Sequence, residues 1–312
     1  MARAYIFPGQ GSQAVGMGKA LADAFPKARE VFQEIDDALS QKLTKLIFEG
    51  PDDELRLTEN AQPALMAVSL AVVAVLSEAD HLIEDQGDYL AGHSLGEYSA
   101  LTAAGAFSLA DAARVLKARG VAMQRAVPVG QGAMAALLGL DEGTVTEVIG
   151  EAKREEVLAI ENDTAPGQIV ISGHKSAVDR AIDIAKTKGG RRSLLLPVSA
   201  PFHCPLMQPA ENEMDTVLAQ TDLLSPALPI VCNVDVSQQQ DPEALRTRLV
   251  KQVTGAVRWR ESIEWMVGQG VDEMVELGSG KVLAGLNKRI NRDIRSHSIG
   301  TPDDIDSFLS AQ

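Results

Sequence analysis

Gly92-His93-Ser94-Leu95-Gly96 stands between a short apolar run, Tyr89-Leu90-Ala91, and a stretch of helical character, Glu97-Tyr98-Ser99-Ala100-Leu101-Thr102-Ala103-Ala104. G-x-S-x-G at such a junction predicts a tight strand-to-helix turn, in which glycines on either side of the serine let neighbouring backbone pass close by and leave the hydroxyl exposed. The pentapeptide alone is equally compatible with an inert serine in a structural turn. The buried strand end before it and the helix after it favour a nucleophile, because that context is what the motif requires.

Toward the N-terminus, Ala4-Tyr5-Ile6-Phe7 reads as a strand that ends in the glycine-rich turn Pro8-Gly9-Gln10-Gly11-Ser12-Gln13. Nucleotide binding is disfavoured there. Gly9-x-Gly11-x-x-Ala14 satisfies a loose dinucleotide fingerprint, but no second strand follows with the acidic residue that would hold a ribose. The phosphate-loop pattern fails as well, since Met17 follows Gly16 where lysine is required. What remains is a turn presenting free backbone N–H groups. Helical stretches are expected around residues 20–48 and 62–78, and the most apolar run, Pro63 to Leu76, spans about 14 residues, short of the ~20 that cross a bilayer. It reads as a buried helix.

Beyond the elbow, Ser108 is a good N-cap and Asp111 complements the helix dipole. At about 100° per residue the following helix, to about Ala126, carries the apolar stripe Ala112, Val115, Leu116, Ala122, Met123 and Ala126. Arg119 falls in the middle of that stripe, while Arg114, Lys117 and Arg125 lie on the polar side. A guanidinium on a buried face needs an anionic partner. That partner is either an internal carboxylate or the carboxylate of a substrate, held by the bidentate geometry that arginine offers.

From Gly130 to Val198 the pattern changes: strand 133–140, helix 142–153, strands 157–161 and 168–172, helix 177–188, strand 192–198. The order βαββαβ is the ferredoxin-like arrangement. We therefore expect a small domain, residues 128–197, inserted into a larger one formed by residues 1–127 and 198–312, with hinges near Pro128 and Pro197. The chain returns through Ser199-Ala200-Pro201-Phe202-His203-Cys204-Pro205, an irregular segment at the junction. After it come a strand (229–234), a helix (258–267), a strand (272–277) and a final strand and helix, an alternation that predicts a largely parallel sheet covered on both faces.

The 312 residues suffice for one large domain with an insertion. The 29 basic and 43 acidic side chains give a net charge of −14, which disfavours a nucleic-acid partner. Basic residues cluster locally in Lys186, Lys188, Arg191 and Arg192 and in Lys288, Arg289, Arg292 and Arg295, as solvated helix faces or as docking points for something anionic. No signal peptide is expected, because the N-terminal apolar run is too short before Pro8-Gly9. No membrane is expected as a partner. Cys204 and Cys232, without metal-ligand spacing, fit a reducing cytoplasm.

A serine nucleophile needs a base, and histidine is best matched to that task. His93 sits on the elbow with its side chain expected to point away and pack. His81 and His174 lie in polar surroundings and are expected to face water. His203 occupies the proline-flanked junction, a natural cleft position, and His297 stands where a hydrolase of the Ser-Asp-His order carries its base. Backbone reasoning leaves His203 and His297 both open.

Phe7-Pro8-Gly9-Gln10-Gly11-Ser12-Gln13, Gly92-His93-Ser94-Leu95-Gly96-Glu97-Tyr98, Arg119, Pro166-Gly167-Gln168 and His203-Cys204-Pro205-Leu206-Met207 together closely resemble the malonyl-CoA:acyl-carrier-protein transacylases of bacterial fatty acid synthesis, across essentially the whole chain. The resemblance implies an α/β-hydrolase-like large domain with an inserted ferredoxin-like domain. It implies Ser94 as nucleophile, His203 as general base, the backbone N–H groups of Gln10 and Leu95 as oxyanion hole, and Arg119 as the grip on the malonate carboxylate. Gln252 matches the position whose main-chain carbonyl orients the histidine, giving a Ser-His dyad, Asn162 is expected to line the pocket, and His297 becomes structural. Phe202 stands where many relatives carry serine, a pattern that resembles malonyl over methylmalonyl selectivity. Malonyl-CoA and acyl carrier protein are the implied partners. No metal or cofactor is implied, the CoA thioester being a substrate.

Overall fold

The computed structural model describes residues 2–198 and 200–311; Ser199, within the proline-flanked junction, and the terminal Met1 and Gln312 lie outside the described residues. Strand β1 (Ala2–Phe7) is fully buried from Ala4 to Phe7 and feeds two cores at once. Tyr5 and Phe7 point into one apolar cluster and Ala4 and Ile6 into the other, on the opposite face of the sheet. That is what a parallel strand covered on both faces demands of its alternating side chains.

The segment expected as helix 20–48 is three helices: α1 (Lys19–Ala24), α2 (Pro26–Leu39) and α3 (Leu43–Glu49). Pro26 starts α2, where its missing N–H loses nothing. Ser40 ends α2 in the left-handed region at φ 49° and Gly50 ends α3 at φ 78°, so each break has a local cause. After the single turn α4 (Asp52–Leu55), α5 runs Thr58–Glu78 with Pro63 inside it. It starts four residues before the sequence reading placed it and is long and apolar enough to cross a membrane, yet 83% of its apolar window is buried within the protein. A short α6 (Ile83–Gln86) leads to β2 (Tyr89–Gly92), α7 (Leu95–Ala103) and α8 (Leu109–Arg125). The Ser108 cap is made as expected, its side chain accepting from the Asp111 N–H.

The inserted unit consists of β3 (Gly132–Leu138), α9 (Glu142–Lys153), β4 (Leu158–Ala165), β5 (Gln168–His174), α10 (Lys175–Thr187) and β6 (Arg192–Leu195). Its antiparallel sheet has the order β4-β5-β3-β6, the ferredoxin-like topology, with a separate apolar core beneath α9 and α10. The chain then makes a 3-10 turn at Pro205–Met207 and continues as α11 (Gln208–Ala219), β7 (Ile230–Val231), β8 (Gln238–Gln239), α12 (Pro242–Gln252), α13 (Trp259–Gly268), β9 (Val271–Leu277), α14 (Val282–Ile290), β10 (Arg295–Ile299) and α15 (Pro302–Ser310). Helices α11 and α12 have no counterpart in the sequence reading. The large sheet has the order β10-β9-β1-β2-β7-β8 and is parallel except at β8.

Two histidines are placed differently from expectation. His81 is 7% exposed and its Nε2 lies 2.7 Å from the Tyr5 hydroxyl, a contact from the sheet core that its polar flanking residues do not foretell. His174 is half-buried, its Nδ1 accepting from the Val157 N–H at 2.9 Å.

Candidate active site

β1 and β2 are parallel neighbours with Phe7 opposite Gly92, so the loops leaving their C-terminal ends meet. The glycines there are required by contact. A Cβ on Gly92 would lie 1.9 Å from the carbonyl of Gly96, and one on Gly96 would lie 2.3 Å from the Phe7 carbonyl oxygen. A Cβ on Gly9 would lie 2.6 Å from the His93 ring, so the first loop is pressed against the elbow and Gln10 reaches the cavity beside Ser94. Ser94 is held at φ 52°, ψ −108°, outside the regions a serine prefers. His203, far along the chain, is also at φ 52°.

The structure brings Ser94 and His203 together. The Ser94 Oγ and His203 Nε2 are 2.8 Å apart, and His203 Nδ1 lies 2.7 Å from the Gln252 carbonyl oxygen. A carbonyl only accepts, so Nδ1 carries the proton and the Nε2 lone pair faces the serine hydroxyl, which donates to it. Burial, and then the nearby Arg119 cation, hold the His203 imidazole down at about 3, so it is neutral at physiological pH. This arrangement can take a proton from the hydroxyl. His297 stands elsewhere, on β10 at the sheet edge, half exposed and 3.2 Å from Glu273.

Arg119 is 1% exposed. Its Nη1 donates to Gln62 Oε1 at 2.8 Å, and its Nη2 donates to Gln252 Oε1 at 2.8 Å and to Ser94 Oγ at 3.1 Å. The guanidinium also lies over the Tyr98 ring, 5.5 Å from its centroid. Every hydrogen-bond partner is neutral, its Nε–H is buried without one, and among the described residues no carboxylate lies in ion-pair range. The buried carboxyl of Glu97 acts on the guanidinium only at longer range, both groups being hydrogen-bonded to Gln252. Close packing puts it in place: at the neighbouring Gly120 a Cβ would lie 2.5 Å from the Glu59 Cα, so α8 rides directly on the start of α5, which carries Gln62.

Gln252, at the end of α12, is fully buried and lies behind the cavity wall. Besides its carbonyl on His203 and its Oε1 on Arg119, its Nε2 donates to the Ser94 carbonyl at 3.0 Å and to Glu97 at 2.9 Å. Asn233, which sequence reasoning missed, completes the frame: its Oδ1 accepts from the Ser94 N–H at 2.8 Å and its Nδ2 donates to the Gly92 carbonyl at 2.8 Å. That uses the Ser94 N–H internally, while Leu95, first residue of α7, belongs to the turn whose N–H groups have no helical acceptor. Glu97 accepts from the Asn233 N–H and from Gln252, yet burial still raises its carboxyl to about 7.

These groups open onto one cavity of about 480 Å³, lined by Gln10, Ser94, Arg119, Asn162, Phe202 and His203 together with apolar residues of the small unit. Asn162 donates from Nδ2 to His93 Nε2 at 2.5 Å, so His93 packs at the cavity wall against Asn162 and Trp259.

Residues 4–293 match the acyl transferase domain family. The chain is 44% identical over 306 residues to a malonyl CoA-acyl carrier protein transacylase of Escherichia coli K12, covering 98% of each chain. An acyl-carrier-protein S-malonyltransferase from Bartonella henselae superposes with a TM-score of 0.98 at 54% identity, covering 100% of this chain and 99% of that one. A type II PKS malonyl-transacylase, solved in complex with its acyl-carrier protein, superposes at 0.97 with 41% identity and full coverage of both chains. With its fold, its elbow and its full-length likeness to these enzymes, the chain belongs to the malonyl CoA-acyl carrier protein transacylases, a family of acyltransferases.

Proposed function

We propose that the protein moves the malonyl group from malonyl-CoA to the phosphopantetheine thiol of acyl carrier protein through a malonyl ester on Ser94. The observation that carries this reading is a buried guanidinium with only neutral partners, 3.1 Å from a serine hydroxyl that is itself hydrogen-bonded to a neutral imidazole. A malonyl thioester has the matching groups: an electrophilic carbonyl for the serine and a free carboxylate for the cation.

In the first half-reaction Ser94 Oγ attacks the thioester carbonyl and its proton passes to His203 Nε2. The C–S bond then breaks, and the imidazolium returns that proton to the CoA thiolate. In the second half His203 takes the proton of the carrier thiol, the sulfur attacks the ester, and the proton goes back to Ser94 Oγ. The Gln252 carbonyl holds the imidazole in its tautomer, making a dyad without an acidic third member. In this reading the N–H groups of Leu95 and Gln10 receive the oxyanion, each worth roughly 3 kcal/mol in acyl-transfer sites. Arg119 holds the carboxylate, Asn162 lines the cavity, and Phe202 fills the space an α-methyl group would need. An anchored acyl group leaves little room for water, which favours transfer over hydrolysis. The thioester is the substrate and no cofactor takes part; we read the protein as cytoplasmic, with the small unit bounded at residues 128 and 197.

For the carrier we propose docking through the two basic clusters jointly. Lys188 is engaged by Glu147 and Glu151, and Lys186 by Asp183. Arg191 and Arg192 of one cluster and Arg289 of the other face a common depression of about 640 Å³. The deciding experiment is incubation with malonyl-CoA followed by intact mass: a malonyl adduct that disappears in Ser94→Ala supports the reading, and rapid release of free malonate with no adduct overturns it.

A further inference from the structure

The pairing of β4 with β5 slips between Ile160 and Asn162, leaving Glu161 as an extra residue in the ladder. In an unbroken strand consecutive side chains point to opposite faces, so Glu161 and Asn162 would be divided between them. Here both line the active-site cavity, because a bulge re-aims the side chain it carries. Glu161 is only 5% exposed. Burial alone raises its carboxyl to about 8, with no hydrogen bond or charge among the described residues acting against that. Its neighbour is short of a partner too: Asn162 Oδ1 is buried without one.

An unpartnered carboxyl is unfavourable in a protein interior, and an apolar residue would fill the same space without that penalty. At a cavity wall a ligand can offset it. Outside the small unit the cavity's polar lining includes Ser94, His203, Gln62, Arg119, Asp53 and Arg56, whereas the small unit's contribution is apolar, with Met134 and Val170, apart from Glu161 and Asn162. If the malonyl carboxylate is turned toward Arg119, the sulfur and the chain attached to it extend away from Arg119 through the rest of the cavity, whose lining includes Glu161. That chain is the same in both thiol substrates, a pantetheine arm of apolar links joined by secondary amides.

We propose that Glu161 binds an amide of the pantetheine arm, holding both substrates by the part they share; the inference rests on the transfer reading above. A secondary amide offers one donor and one acceptor, and a carboxyl that keeps its proton answers both, whereas a carboxylate can only accept. Glu161 is thus a binding residue that acts on KM and leaves the chemistry at Ser94 alone.

Acylation of wild-type Ser94 by malonyl-CoA is measured first, by intact mass. Its absence overturns the transfer reading and this inference together; acylation with an indifferent Glu161 overturns the inference alone. Glu161→Leu is expected to raise KM for malonyl-CoA and for malonyl-pantetheine by the same factor, roughly three- to tenfold, the span of one neutral hydrogen bond, with kcat and thermal unfolding held. Glu161→Gln, whose carboxamide still donates and accepts, stays within about twofold. As pH rises through about 8, where the carboxyl ionises, the wild-type KM increases and that of Glu161→Gln does not. An unchanged KM in Glu161→Leu, an effect seen with malonyl-CoA but not with malonyl-pantetheine, or a pH dependence that survives in Glu161→Gln would each refute the proposal.

Discussion

The Nη2 of Arg119 stands 3.1 Å from the Oγ of Ser94, twenty-five residues away along the chain and one hydrogen bond away in space. The same guanidinium depresses the His203 imidazole. One cation therefore touches both the attacking group and the strength of its base, and a carboxylate arriving at Arg119 would change both. On the proposed reading, neutralising that charge lets the imidazole's proton affinity rise, so the base would be stronger with a malonyl group in place.

Arg119→Ala separates binding of the acyl carboxylate from acyl transfer. Malonyl transfer should fall in kcat/KM by about 100-fold or more, the scale of losing two charge-assisted hydrogen bonds, while acetyl transfer is retained or raised. Parallel assays with malonyl-CoA and acetyl-CoA check it, and equal losses would show that the guanidinium does not read the carboxylate.

The pH dependence has a definite sign. A histidine at its ordinary value of 6.5 would lose activity as pH drops through that point, but His203 is held down at about 3. It stays unprotonated down to mildly acidic pH, so kcat/KM should show no imidazole limb near 6.5. In Arg119→Ala one of the depressing influences is gone and the limb moves upward, which acetyl-CoA assays across mildly acidic pH can follow. Because the buried Glu97 carboxyl, raised to about 7, titrates in the same range, a limb at 6.5 that persists in Glu97→Gln would contradict the neutral, buried imidazole.

Two glycines make a paired test of the elbow. In Gly92→Ala the new Cβ meets the Gly96 carbonyl at 1.9 Å, backbone against backbone, and the expected loss is at least about 3 kcal/mol. Gly150, inside α9, has nothing within 4 Å of its Cβ position, so Gly150→Ala should gain about 0.5–1 kcal/mol. Chemical denaturation of the two variants beside the wild type gives both values.

Phe202, 6% exposed and beside His203 in the cavity lining, should set tolerance at the α-carbon. Phe202→Ala is expected to raise use of methylmalonyl-CoA relative to malonyl-CoA about tenfold, the order of discrimination a methyl-sized space supports. A competition between the two thioesters reads the ratio directly, and an unchanged ratio would remove Phe202 from selectivity.

The features legible in the sequence were those with a short-range signature. The elbow has its glycines, α8 has its cap, and Arg119 is conspicuous because a charge breaks an otherwise apolar stripe. The small unit was readable from alternation, and its helix α9 lies where the pattern placed it. Residue reasoning alone left His203 and His297 open, because the contact that decides between them spans 109 positions. Gln62, Asn233 and the side chain of Gln252 went unseen for the same reason, as neutral amides without a motif whose partners come from distant segments. Helix α12 was missed although Leu245, Leu249 and Gln252 stand at i, i+4 and i+7 and Asp241 caps it ahead of Pro242; with only two leucines on its buried face, its apolar signal is short. Glu161 reaches the cavity only through a bulge, and a strand read as strictly alternating turns it the wrong way.

Gln62 and Gln252 hold Arg119 with amide oxygens. Amides orient a guanidinium without cancelling it, so the empty enzyme folds around a charge that the protein offsets only at longer range, through Glu97. On the reading proposed above, loading the serine supplies the missing counter-ion from within the covalent intermediate. Acylation and folding stability are then linked: whatever that ion pair gains belongs to the acylated protein and not to the empty one.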